Sequence, residues 1–321
     1  MRVHLPWQRG GGRSQRTPPG PSLLICALLV LAGTYLAHAQ DILTTVPVAT
    51  GNPRGVAADP TRNLIYVANS GANQVLVING TTNTIVRTFP TGGNVEGIEV
   101  DPVANRIYTG YSRPVRVLDA ATGSEIGQIN ESIYGDNEIA VNPNNHKLYL
   151  ADWSAIVGTP DRVRIFDTRT LGEIGRVDLG LSPYFQRIGV AVNPVTGMAY
   201  ASYTGDGSIA FIDGNSNQIV KQFQLAEQAQ KWVAVNPATN RVYVKCTDGV
   251  VVLDGTSGAR LGVIPGQWDI AVNKDANRIY LAQNNKFRVA DGWTNAIVGE
   301  LQLPKYKGGG GLDSLPSLGR V

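Results

Sequence analysis

Six times along the chain a short apolar strand runs into Asp or Asn, usually with Pro next, and reaches a tyrosine a few residues later. The copies read GVAADPTRNLIYVAN, GIEVDPVANRIYTGY, IAVNPNNHKLYLAD, VAVNPVTGMAYASY, VAVNPATNRVYVK and IAVNKDANRIYLAQ. Their tyrosines are Tyr66, Tyr108, Tyr149, Tyr200, Tyr243 and Tyr280, and subtraction gives steps of 42, 41, 51, 43 and 37 residues. Each copy divides into four short segments with strand-like alternation; in the first they are RGVAAD, LIYVAN, QVLVIN and TIVRTF. One such unit cannot bury its apolar faces alone, so neighbours must stack. A period of about 40–45 residues made of hairpins predicts an all-β fold, a β-propeller of four-stranded blades.

Six full repeats are visible, and DILTTVPVATG before the first reads as one more outermost strand. The sixth repeat already has its own outer strand, AIVGELQL. Two arrangements fit: six blades with the early strand as an extra edge, or a seven-bladed ring cut short, the expectation favoured here. The expected division is a leader over 1–39, the propeller over 40–305 and a Gly-rich tail over 306–321, read as disordered or as a truncated blade, containing the run Gly308–Gly311.

The leader is basic, then apolar, then small-x-small. Arg2, Arg9, Arg13 and Arg16 precede SLLICALLVLAGTYLAHA, which closes on Ala37-His38-Ala39. This order describes a secretory signal cut before Gln40, and the apolar run is short for a membrane span. Export to the periplasm, cell surface or medium follows, with no stable membrane span after cleavage. Cleavage also changes the charge. The chain has 28 Lys+Arg against 25 Asp+Glu; four arginines leave with the leader and no acid does, so 24 stand against 25. No basic stripe remains to neutralise phosphates, which argues against nucleic acid as a partner. Of Cys26 and Cys246 only the second survives, so no intrachain disulfide can form. Cys246 reads as a small packing residue rather than a nucleophile.

The repeat resembles the YVTN-type β-propeller family, whose name describes the motif seen here as Tyr66-Val67-Ala68-Asn69. The resemblance runs from Asp41 to Lys305. The other copies keep Tyr and vary afterwards (YTGY, YLAD, YASY, YVKC, YLAQ). The resemblance implies an extracytoplasmic propeller and leaves the activity open, because propellers host many.

Third strands end in Asp or Asn before a turn: Asn79, Asp119, Asp167, Asp213, Asp254 and Asp291. This column suggests metal ligands, but such side chains bond nearby backbone amides and start turns, the reading preferred here. Candidate binding residues lie instead where first strands begin, on the rim shared with the loops between second and third strands. That rim carries the insertion DWSAIVGTPD at 152–161 and the long link LGLSPYFQR. Aligned from the Asp/Asn-Pro turn, one column reads Arg54, Glu96, Asn137, Ile188, Lys231, Trp268, and the next Gly55, Gly97, Glu138, Gly189, Trp232, Asp269. Two places on, five copies have Ala (57, 140, 191, 234, 271) and the second has Glu99. A channel carboxylate needs a partner, and Arg54 or Lys231 are candidates. The expected channel mouth therefore combines Arg54, Glu96, Glu99, Glu138, Arg187, Lys231, Trp232, Trp268 and Asp269, edged by Trp153, Tyr184 and Phe185.

Past the leader the only histidine is His146, expected in a tight turn on the opposite rim. Triads, His-rich zinc sites and Cys-His pairs all need a pocket histidine. No phosphate-cradling or dinucleotide Gly motif is present. The expectation is an exported binding or interaction module taking a small polar ligand or a protein partner at the channel mouth. It is read as non-enzymatic, with no cofactor required. The alternative is a metal-dependent hydrolase of the lactonase type, with Glu96, Glu99, Glu138 and Asp269 holding Ca2+ or another divalent cation.

Overall fold

The computed structural model describes residues 23–24, 44–48, 50–111, 114–129, 138–153, 156–181, 187–266, 269–283 and 286–302. Six antiparallel four-stranded sheets are arranged in a ring, a six-bladed β-propeller. Blade 1 consists of Pro53–Asp59, Leu64–Asn69, Gln74–Asn79 and Thr84–Pro90, so the four segments read from the first repeat are all strands. Blade 2 is Val95–Asp101, Arg106–Tyr111, Val115–Asp119 and Glu125–Ile129; blade 3 is Ile139–Asn142, Lys147–Asp152, Pro160–Asp167 and Glu173–Leu181. Blade 4 is Ile188–Val192, Met198–Tyr203, Ser208–Asp213 and Gln218–Gln224; blade 5 is Ala229–Asn236, Arg241–Cys246, Gly249–Asp254 and Arg260–Pro265. Blade 6 is Asp269–Asn273, Arg278–Gln283, Lys286–Asp291 and Ile297–Gln302. Within every sheet the strands follow chain order. First strands of successive blades lie side by side from blade 1 to blade 6, so they face the axis and the fourth strands form the outer edge. Among the described residues no helix is long and apolar enough to cross a membrane.

The tyrosine repeat is a packing device. All six tyrosines are fully buried. Each sits opposite the small-residue column of the first strand: Ala57 with Tyr66, Ala140 with Tyr149, Ala191 with Tyr200, Ala234 with Tyr243 and Ala271 with Tyr280. Glu99 takes that place beside Tyr108. The ring also has a second use, which alternates with the residue two places before it. In blades 2, 3 and 5 that residue is Arg106, Lys147 or Arg241, and it donates to a turn carbonyl of the following blade, at Thr168, Gly214 and Gly292. In blades 1 and 4 it is Leu64 or Met198, and the tyrosine hydroxyl makes the equivalent bond instead, Tyr66 to Ala120 O at 3.2 Å and Tyr200 to Gly255 O at 2.8 Å. At these five junctions one turn carbonyl thus receives a donor from the preceding blade by either route.

Outer strands carry a bulge at one repeated place, and the extra residue is an exposed aliphatic: Val86, Ile126, Ile174, Val220, Leu261 and Val298. A bulge twists an edge away from further pairing, which protects a ring with six free outer edges.

Part of the expected early strand, 41–43 and 49, lies outside the described residues; within the rest, Val46–Pro47 is a strand that pairs antiparallel with Leu23–Leu24, inside the expected leader. Val46 and Val48 are buried against Ile65, Val67, Leu76 and Ile78 of blade 1.

Candidate functional site: the channel mouth

First strands all run the same way along the axis, so their starting residues gather at one end. Arg54 and Glu96 lie early in the first strands of blades 1 and 2, Glu138 just before that of blade 3, and Arg187 just before that of blade 4. Lys231 and Trp232 lie within the first strand of blade 5, beside its bulge, and Asp269 opens that of blade 6. Lys231 Nζ stands 2.8 Å from Glu138 Oε1, with side chains only 13% and 21% exposed. This pair joins blades 3 and 5 past the intervening blade 4, which only a radial arrangement permits. The same ammonium lies 5.1 Å from the centroid of the Trp232 ring, in cation–π range. Arg54 Nε approaches Glu96 Oε1 at 3.9 Å across the junction of blades 1 and 2. Asp269 Oδ1 accepts from Lys245 Nζ at 3.0 Å.

Two glycines set how tightly the mouth closes. A Cβ on Gly189 would stand 1.4 Å from the carbonyl oxygen of Lys231, and one on Gly55 would stand 2.3 Å from that of Glu96. The backbone carrying Lys231 is further fixed by Ser202 Oγ, which donates to the Lys231 carbonyl at 3.1 Å. Lys245, Ser202 and these glycine contacts were not singled out in the sequence. Lys245 could have been, since it breaks the apolar VYVKC alternation on the same rim.

Other expected site residues divide as follows. Glu99 is half-buried at the small-residue column. Arg187 is exposed, its backbone amide donating to Thr204 Oγ1 at 2.8 Å. Trp153 packs against the core between blades 3 and 4, a wedge between blades. Trp268, Asn137, Tyr184 and Phe185 lie outside the described residues.

The mouth carboxylates Glu96, Glu138 and Asp269 each face a cation, and among the described residues no group of three or more His, Cys, Asp or Glu is placed to hold a metal ion. The third-strand column is structural. Asp119 Oδ1 accepts from the amides of Ala121 and Thr122, Asp254 Oδ1 from Thr256 and Ser257, and Asp291 Oδ1 from Trp293 and Thr294. Backbone bonds from Thr122 and Ser257 hold the carboxyls of Asp119 and Asp254 below their ordinary range. Burial pushes the Cys246 thiol up to about 12, which keeps it protonated and unreactive at neutral pH. His146 occupies a left-handed turn position, φ 57°, that Asn63, Asn105, Gly197, Asn240 and Asn277 fill in the other blades. It sits at the end of the axis away from the mouth.

No family model matches the chain, and no curated protein matches it. Among solved structures it is similar to Kuenenia stuttgartiensis hydrazine synthase, with a TM-score of 0.65 and 16% sequence identity over 81% of this chain and 80% of that one. Identity this low carries the fold and nothing of the activity.

Proposed function

We propose that the chain is an exported binding module of the YVTN propeller kind, and that its channel mouth takes a small polar ligand or a peptide segment. The observation that carries this reading is the Lys231–Glu138 pair against Trp232. An ammonium held between a carboxylate and an indole is half-desolvated already, and both of its neighbours can turn to a guest. A ligand carboxylate would replace Glu138 on Lys231, while a ligand ammonium would meet the released Glu138 and the Trp232 face. Arg54 with Glu96, and Lys245 with Asp269, offer the same mixed pairing around the rim. Such a surface suits a zwitterion or a peptide better than an ion of one sign. Export rests on the basic, apolar, small-x-small order of residues 1–39.

Calorimetric titration with free amino acids, short peptides and Ca2+ alone tests the reading. At least one zwitterionic probe should bind the wild type, and the double variant Glu96→Gln, Glu138→Gln should bind it about tenfold or more weakly, a loss of about 1.4 kcal/mol. Its melting temperature should fall by no more than about 2–4 °C, since the shielded Lys231–Glu138 pair is worth about 1 kcal/mol and the longer, more exposed Arg54–Glu96 pair less. Unchanged binding in the variant would remove the mouth as the site. Opening of a lactone that needs added Ca2+ and stops with a chelator would replace the proposal with the hydrolase reading.

A further inference from the structure

Blade 3 carries the exposed apolar side chains of the mouth rim. Among the described residues, the large apolar side chains exposed elsewhere lie on turns at the opposite end, as with Val103, Val195 and Trp293, or along outer strands. On the mouth rim they are Ile156, Val157 and Leu181, 63%, 58% and 67% exposed, and all three belong to blade 3. Single exposed aliphatics need no cause, whereas several gathered at one place mark a contact surface.

Their positions are fixed. Ile156 and Val157 form the tip of the loop between the second and third strands of the blade, inside the insertion at 152–161. Thr159 closes that tip by donating its amide and its hydroxyl to the Ile156 carbonyl, at 3.2 and 2.7 Å. Gly158 takes φ 83° there, a conformation that a side chain would resist. Leu181 ends the fourth strand directly opposite Pro160, which opens the third. Where the loop leaves the second strand, Trp153 packs on the cluster shared by blades 3 and 4. At the inner end of the same blade stands Glu138, whose carbonyl accepts from the Ala151 amide at 3.0 Å. From the axis outward, a carboxylate and then an apolar surface follow one another along one blade.

We infer that the occupant of the mouth is a peptide with a free amino terminus, laid outward along blade 3 with apolar side chains against Ile156, Val157 and Leu181. This rests on the binding reading above and narrows its ligand. The order of the charges sets the direction. A chain lying over blade 3 meets Glu138 before Lys231, so its terminal ammonium takes the carboxylate and the Trp232 face. A terminal carboxylate in that place would oppose Glu138. First and fourth strands of a blade stand about 14 Å apart, at about 4.8 Å per step, which an extended chain covers in about four residues. The apolar side chains therefore fall within about the first five residues of the peptide.

Calorimetric titration of the full chain tests it with free alanine, the hexapeptide Ser-Leu-Val-Leu-Ser-Gly, and the same hexapeptide with serine at its apolar places. The apolar peptide should bind the wild type about tenfold or more tightly than its serine counterpart, and acetylating its amino terminus should weaken it by a similar factor. The triple variant Ile156→Ser, Val157→Ser, Leu181→Ser should bind the two peptides equally. Its melting temperature should match the wild type, because all three side chains are exposed. Glu138→Gln should instead weaken every probe that has a free amino group. No binding of either peptide, equal binding of both by the wild type, a preference that survives the triple variant, or indifference to acetylation would overturn the inference. In any of those cases, alanine that binds the wild type and not Glu138→Gln leaves the mouth reading standing, while probes indifferent to Glu138→Gln remove that reading as well.

Discussion

Replacing Gly189 with alanine is expected to cost about 3 kcal/mol of stability, the upper end for forcing atoms into a packed interior. The added Cβ would fall 1.4 Å from the Lys231 carbonyl oxygen and 2.7 Å from Ser202 Oγ. The first of these is backbone on the neighbouring blade, so no side chain can swing aside. Blades 4 and 5 must separate, and Lys231 moves away from Glu138 as they do. Gly172→Ala is the control, because its Cβ would meet only Thr170 Oγ1, at 3.5 Å. It should change stability by less than about 0.5 kcal/mol, as exposed substitutions do. Urea unfolding of the two variants checks the comparison. Equal, small losses would mean that the first strands do not crowd as described.

Tyr200→Ala is expected to cost about 3–5 kcal/mol, the range for removing a large buried ring. The ring is fully buried and meets Phe211 edge-on with centroids 4.9 Å apart. Milder changes separate the two uses of the repeat tyrosine. Tyr200→Phe keeps the ring and removes the bond to Gly255 O, costing about 1 kcal/mol. Tyr149→Phe should cost less than about 0.5 kcal/mol, since among the described residues that hydroxyl bonds no turn carbonyl of the next blade and Lys147 serves that carbonyl instead. Denaturant midpoints for the three variants give the answer. A loss for Tyr149→Phe as large as for Tyr200→Phe would dissolve the alternation between tyrosine and cation.

The blades were legible because their causes are local. Strand alternation, Asx turns and the Ala opposite each Tyr are all set by residues within one repeat, so the first repeat alone located four strands. Placing Arg54, Glu96, Glu138, Lys231 and Asp269 on one rim followed from the period, since equivalent positions in stacked sheets share an end. Which of them would pair was not legible. Lys231 was considered for Glu99, and the Lys231–Glu138 contact depends on how far blade 4 lets blades 3 and 5 approach. That distance is set by Gly189, a residue that looks like any other small first-strand position. Lys245 was missed for a related reason: it reaches Asp269 from a second strand, while attention to the channel favoured first strands. Trp153, expected at the edge of the mouth, is half-buried against the cluster shared by blades 3 and 4, a contact the sequence did not show.

A double-mutant cycle on Glu138→Gln and Lys231→Met, read by urea unfolding, tests most directly whether blades far apart in the chain build one mouth. The pair is close and largely shielded, so the two changes should be non-additive, with a coupling energy of about 1 kcal/mol. Strict additivity of the two losses would contradict the account, because it would place the two side chains out of each other's reach.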